Sequence, residues 1–77
     1  VTPIETLAKA IGRDPVPLLP SLTFREREVI RLRYGIGFDA FTLAETAATF
    51  GTTRLEIRRI EARALAKMKS MARSVAS

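Results

Sequence analysis

The sequence predicts an all-α fold, a small helical domain of about four helices that includes a helix-turn-helix. Three observations carry this expectation. Thr-x-x-Glu occurs four times just before an apolar-periodic stretch, and a glycine follows the end of three of those stretches. No segment shows sustained period-two alternation of β-branched residues, so no sheet is expected. With 77 residues the chain has room for one small core and no second folded unit.

Each Thr-x-x-Glu reads as a capping box, in which the threonine oxygen accepts from the backbone N–H three residues on and the glutamate reaches back to the threonine N–H. The boxes begin at Thr2, Thr23, Thr42 and Thr53, with Glu5, Glu26, Glu45 and Glu56 as partners. Pro3 supports the first start, since its missing N–H costs nothing in a first turn. Gly12, Gly35 and Gly51 are the expected stops of the first three helices, each able to turn left-handed past the last residue. The fourth stretch contains no Gly or Pro and is expected to run from Arg54 to about Met71.

Between the first two helices lies Arg13-Asp14-Pro15-Val16-Pro17-Leu18-Leu19-Pro20-Ser21. Its three prolines argue against a regular helix and for an extended connector. The connector is apolar enough to pack on the body, and the first helix is expected as a separately mobile lead-in, so that residues 1–20 form lead-in helix and Pro-rich connector and residues 21–77 the helix-turn-helix domain.

Charge separates the two ends of the chain. In residues 1–53, six basic side chains cancel six acidic ones, whereas residues 54–77 hold seven basic residues against Glu56 and Glu61. The whole net charge of +5 thus sits on the last helix. One basic element beside a neutral body is the footprint of a nucleic-acid binder, and also of a merely solvated charged helix.

The chain has no Cys and no His, which excludes thiolate and imidazole metal sites, disulfides and Ser/His or Cys/His nucleophile pairs. The carboxylates fall at caps or among arginines, so no catalytic residue, cofactor or metal is assigned and no enzyme activity is expected. There is no apolar run long enough to span a bilayer and no signal peptide, and a soluble intracellular protein is expected. A start at Val1 rather than Met reads as a piece of a longer polypeptide.

Leu43 to Phe50 spans about two turns, Gly51-Thr52 is a tight connection, and a longer basic helix opens at once. This is the helix-turn-helix order, whose second helix lies in the DNA major groove and reads base edges with its first turns. At roughly 100° per residue, Ile57, Ile60, Ala64, Met68 and Met71 fall in one core-facing stripe with Leu65 beside it. Leu55, Arg58, Arg59, Ala62, Ala66 and Lys69 face the other way. Arginine suits that position because its planar fork donates twice to guanine O6 and N7 or clamps a phosphate. The candidate DNA-binding residues are Thr53, Arg54, Leu55, Arg58, Arg59, Ala62, Arg63 and Lys67.

Residues 21–71 resemble region 4 of the sigma-70 family of bacterial RNA polymerase initiation factors. The resemblance rests on Leu22-Thr23-x-Arg25-Glu26-x-Glu28-Val29-Ile30-x-Leu32-Arg33-Tyr34-Gly35-Ile36-Gly37, on Thr42-Leu43-x-Glu45, and on Phe50-Gly51-x-Thr53-Arg54 followed by Ile57-Arg58-x-Ile60-Glu61-Ala62-x-Ala64-Leu65. It implies a cytoplasmic module that binds the minus-35 element of double-stranded promoter DNA while docking on the β flap of RNA polymerase core. Anti-sigma factors and activators are the further partners it implies, and no membrane. On the same basis Arg54 matches a guanine-reading arginine, Arg58 an arginine near the DNA backbone, and Arg63 a basic position that contacts phosphate or an activator. Lys67 and Lys69 extend that edge.

The family's recognition helix begins Thr-Arg-Glu-Arg-Ile-Arg-Gln-Ile-Glu, and this chain departs from it. Leu55 replaces a glutamate that accepts from a cytosine amino group, and Arg59 replaces a base-contacting glutamine. Glu56 replaces an arginine and is expected to complete the capping box. Three readings of Leu55 stay open: packing on a thymine methyl, packing on a partner protein, or an exposed leucine without a role. Among the other apolar residues, Val29, Ile30, Leu32 and Phe24 read as mixed core and surface. Phe38 and Phe41 read as plugs of the domain rather than ligand contacts. Two alternatives to promoter recognition also remain, a protein-interaction module held by an anti-sigma or coactivator partner and a response-regulator-type DNA-binding domain.

Overall fold

Four α-helices form where the capping signals fall: α1 (Pro3–Ile11), α2 (Phe24–Tyr34), α3 (Leu43–Phe50) and α4 (Arg54–Ala76). The computed structural model describes residues 3–76, and no strand occurs among them. Thr2, the expected first cap, lies outside the described residues. At Thr23 and Thr42 both halves of the box are present. The threonine hydroxyls accept from the Glu26 and Glu45 N–H groups at 3.3 and 3.1 Å, and the carboxylates accept from the threonine N–H groups at 3.1 and 2.7 Å.

The third described cap is only half a box. Thr53 Oγ1 accepts from the Glu56 N–H at 3.1 Å, but the Glu56 carboxylate leans along the helix toward Arg59 and Arg63, 3.9 and 3.7 Å away. The expected return bond to Thr53 is thereby corrected. Two guanidinium groups one and two turns on compete with a single backbone N–H, and here they prevail.

The segment after α1 also differs from its expected extended form. Val16–Ser21 is a 3₁₀ helix, with Leu18 N–H donating to Pro15 O and Leu22 N–H to Leu19 O, both at 3.0 Å. Proline's fixed φ near −65° fits a 3₁₀ turn as well as an extended chain, and so short a piece has few N–H groups to lose. The turn buries Leu18 and Leu19, with Leu22 just after it. Each such burial stabilises by roughly 1.5–3 kcal/mol.

The core divides into two clusters with α4 as their common spine. Its first turns give Ile57 and Ile60 to a cluster with Val29 and Ala47, flanked by Leu43 and Phe50. Its later turns give Ala64, Met68 and Ala72 to a second cluster with Leu7, Ile11, Leu18, Leu19, Leu22 and Ile30. On α2 the adjacent residues Val29 and Ile30 therefore serve different clusters, so that α2 packs along both halves of α4. The buried seam of α4 follows four-residue steps at its end, so Ala72 is buried where Met71 was expected, and Met71 is only half-buried. The helix also continues to Ala76, past the expected Met71.

The loop from Gly35 to Thr42 is fastened to α2. Phe41 N–H donates to Leu32 O at 2.7 Å, and Arg33 donates through Nε to Glu61 and through its Nη1 to Phe41 O, both at 2.9 Å. Phe38 and Phe41 meet edge to face with centroids 5.8 Å apart, and the Arg31 guanidinium lies over Phe38 at 5.5 Å. They were expected to plug the domain. Phe41 is half-buried, but Phe38 is exposed and neither belongs to a core cluster.

Candidate nucleic-acid interface

α3 and α4 form a helix-turn-helix because the chain between them turns within three residues. Gly51 takes a left-handed conformation at φ 63°, and its N–H donates to the Ala47 and Ala48 carbonyls. Thr52 N–H donates to Ala47 O at 2.9 Å, and Thr53 caps the next helix. Ala47, packed against Ile57 and Ile60, holds the short helix against the long one. Thr46 is fully buried, and its hydroxyl is satisfied by Thr42 O at 2.9 Å.

With Ile57 and Ile60 turned inward, Arg54, Leu55, Arg58, Arg59 and Ala62 are all exposed on the opposite side. This is the arrangement expected from the helical spacing. Two flanks of that face differ. On one, an open groove of about 570 Å³ runs between the start of α3 and the first turns of α4, lined by Thr42, Leu43, Ala44, Arg54, Leu55 and Arg58. No carboxylate lines it, and Arg54 and Arg58 make no ion pair with any described residue. The sequence reading missed Thr42, Leu43 and Ala44 as part of this surface. Their signal was Thr42 as a cap, since the first N–H groups of a helix lack intrahelical partners.

On the other flank, Glu56, Arg59, Ala62 and Arg63 line a shallow depression of about 450 Å³. Arg59 and Arg63 are about two-thirds exposed there. Exposed pairs at such distances are worth at most about 1 kcal/mol, so Glu56 orients the two arginines without committing them. A phosphate would compete for them readily.

Lys67 stands apart from the other candidates. Its Nζ donates to Glu26 Oε1 at 2.9 Å, and the Glu26 side chain is almost wholly covered. Burial alone would raise the Glu26 carboxyl. The Lys67 ammonium and the Thr23 backbone and hydroxyl outweigh that and hold it below its ordinary value. Lys67 thus ties α4 to α2 inside the domain as well as carrying charge at its edge. At Glu45 the Thr42 N–H, helped by the Thr42 hydroxyl, likewise holds the carboxyl low. Among the described residues no group of three or more acidic side chains could hold a metal ion. No helix among the described residues is long and apolar enough to cross a membrane.

Comparison with known proteins matches residues 18–70 to the family model "Sigma-70, region 4". Over 70 residues, 88% of this chain, it is 43% identical to the RNA polymerase sigma factor SigA of Nostoc sp.. Over 76 residues, 96% of the chain, it is 40% identical to the SigA of a Bacillus sp.. Over 58 residues, 74% of the chain, it is 47% identical to the RNA polymerase sigma factor RpoD of Neisseria gonorrhoeae. The chain spans 18%, 20% and 9% of those three proteins respectively. No solved structure matches it.

Proposed function

This chain belongs to the sigma-70 family through its region 4, and from that premise we propose that it recognises the minus-35 element of promoter DNA and docks on the β flap of RNA polymerase core. The observation that carries the proposal is the basic face of α4, where Arg54 and Arg58 border the groove at the start of α3 and no acidic residue lines it. In that position the first turns of α4 enter the major groove, while Arg59, Arg63 and the start of α3 meet phosphates on either side. Thr53 and Ala62 allow close approach. Lys67 adds charge at the rim.

In this reading residues 21–77 are the recognition module and residues 1–20 the lead-in, of which α1 and the Val16–Ser21 turn pack against α4. The activity is non-enzymatic, set in the bacterial cytoplasm, and serves transcription initiation. Phe24, 68% exposed at the start of α2 with the Arg27 guanidinium over its ring, suits a contact with polymerase.

A gel-shift comparison of a minus-35-like duplex with a scrambled duplex, joined to a pull-down on the β flap, tests the proposal. Preferential binding of the first duplex, lost as salt rises, and retention on the flap are expected. Equal affinity for both duplexes with no retention would overturn it.

A further inference from the structure

The outer face of α4 has an uneven chemistry. Arg54, Leu55, Arg58, Arg59 and Ala62 are exposed there, and none of these side chains can accept a hydrogen bond. The threonine hydroxyls at the two helix starts each already accept one capping bond. Thr53 Oγ1 accepts from the Glu56 N–H at 3.1 Å, and Thr42 Oγ1 from the Glu45 N–H at 3.1 Å. The Glu56 carboxylate is drawn to the far flank by Arg59 and Arg63. Amid these donors Leu55 is 58% exposed, and it lines the open groove together with Leu43 and Ala44.

A leucine cannot bind phosphate, and in the major groove only one base feature matches it, the 5-methyl group of thymine. We propose that Leu55 is a specificity-determining residue that selects thymine through this methyl, on a reading face that otherwise only donates. Such a face gains from guanine O6 and N7 and from the thymine methyl. It gains nothing from the amino groups of cytosine or adenine, which require an acceptor. The inference rests on the reading of α4 as the helix that enters the DNA groove.

The test begins with duplexes selected from a random pool by the full chain. The preferred duplex is then remade with deoxyuridine at each thymine in turn, which removes one methyl group and nothing else. Loss of one buried methyl predicts about a three- to fivefold weaker affinity at a single position for the native chain. For Leu55→Ala, the same replacement is expected to change nothing at that position. Leu55→Glu is expected to move the preference there to cytosine, whose amino group a carboxylate accepts. Circular dichroism of both variants should match the native chain, since the side chain is exposed.

Sequence preference without any thymine-to-uracil difference would overturn this inference alone, as would an unchanged difference in Leu55→Ala. Absence of any sequence preference would overturn the duplex reading and this inference with it.

Discussion

The Lys67 ammonium donates to Glu26 Oε1 at 2.9 Å, joining the middle of α4 to the first turn of α2 across 41 positions of sequence. The same carboxylate also caps α2 through the Thr23 N–H at 3.1 Å. One buried acid therefore fixes both a helix start and the seating of α2 against α4. Lys67→Met leaves that carboxylate without its cation, and a cost of about 1–3 kcal/mol is expected in urea unfolding. Arg58→Ala, which removes no internal partner, is expected to leave stability within about 0.5 kcal/mol of the native chain.

The same carboxyl sets an acid limit. Glu26 and Glu45 are both held below the ordinary value of 4.5 in the folded chain. Their contribution is fully present above that value and is lost as pH falls through the lowered ones. Thermal unfolding followed from neutral pH downward should show a flat midpoint that falls below about pH 4.5. Glu26→Gln should be less stable at neutral pH and show a shallower fall.

Gly35 and Gly51 share φ 63°, but their surroundings differ. A Cβ at Gly35 would lie 2.5 Å from Phe38 O and 2.7 Å from Ala40 N, whereas at Gly51 it would meet nothing within 4 Å. Gly51→Ala is expected to cost about 1–2 kcal/mol for the left-handed conformation alone. Gly35→Ala should cost about 1–3 kcal/mol more, because the loop backbone must move. Chemical denaturation of the two variants side by side checks the order.

Arg33 links three elements through its bonds to Glu61 and to Phe41 O. Arg33→Lys keeps the charge but cannot hold both in the guanidinium geometry. About 1–2 kcal/mol of stability is expected to be lost. Amide exchange should rise first at Phe41, whose N–H is bonded to Leu32 O.

The bounds of α2 and α3 were legible because their starts and stops are local: a threonine, a glutamate three residues on, and a glycine past the end. The exposed face of α4 was legible for the same reason, since helical spacing alone turns Ile57 and Ile60 away from Leu55 and Arg58. What lay beyond the sequence depends on packing. Nothing near Lys67 in the chain marks it as the partner of Glu26, and Leu18 and Leu19 reveal their place only once α1 and α4 are side by side. Glu56 carried a valid capping signal, but its outcome was a competition between one N–H and two arginines that spacing does not decide. The groove beside Arg54 and Arg58 was hidden likewise, because Thr42, Leu43 and Ala44 reach it through the fold.

The claim that the first turns of α4 lie in a DNA groove is tested most directly by the salt dependence of specific duplex binding in Arg54→Ala and Arg58→Ala beside the native chain. An arginine on phosphate is expected to lower the slope of log affinity against log salt by about one unit when removed. An arginine on a base should instead cost about 1–3 kcal/mol and relax preference at one position. Each variant should show one of these two signatures. Native affinity, slope and preference in both variants would contradict the account.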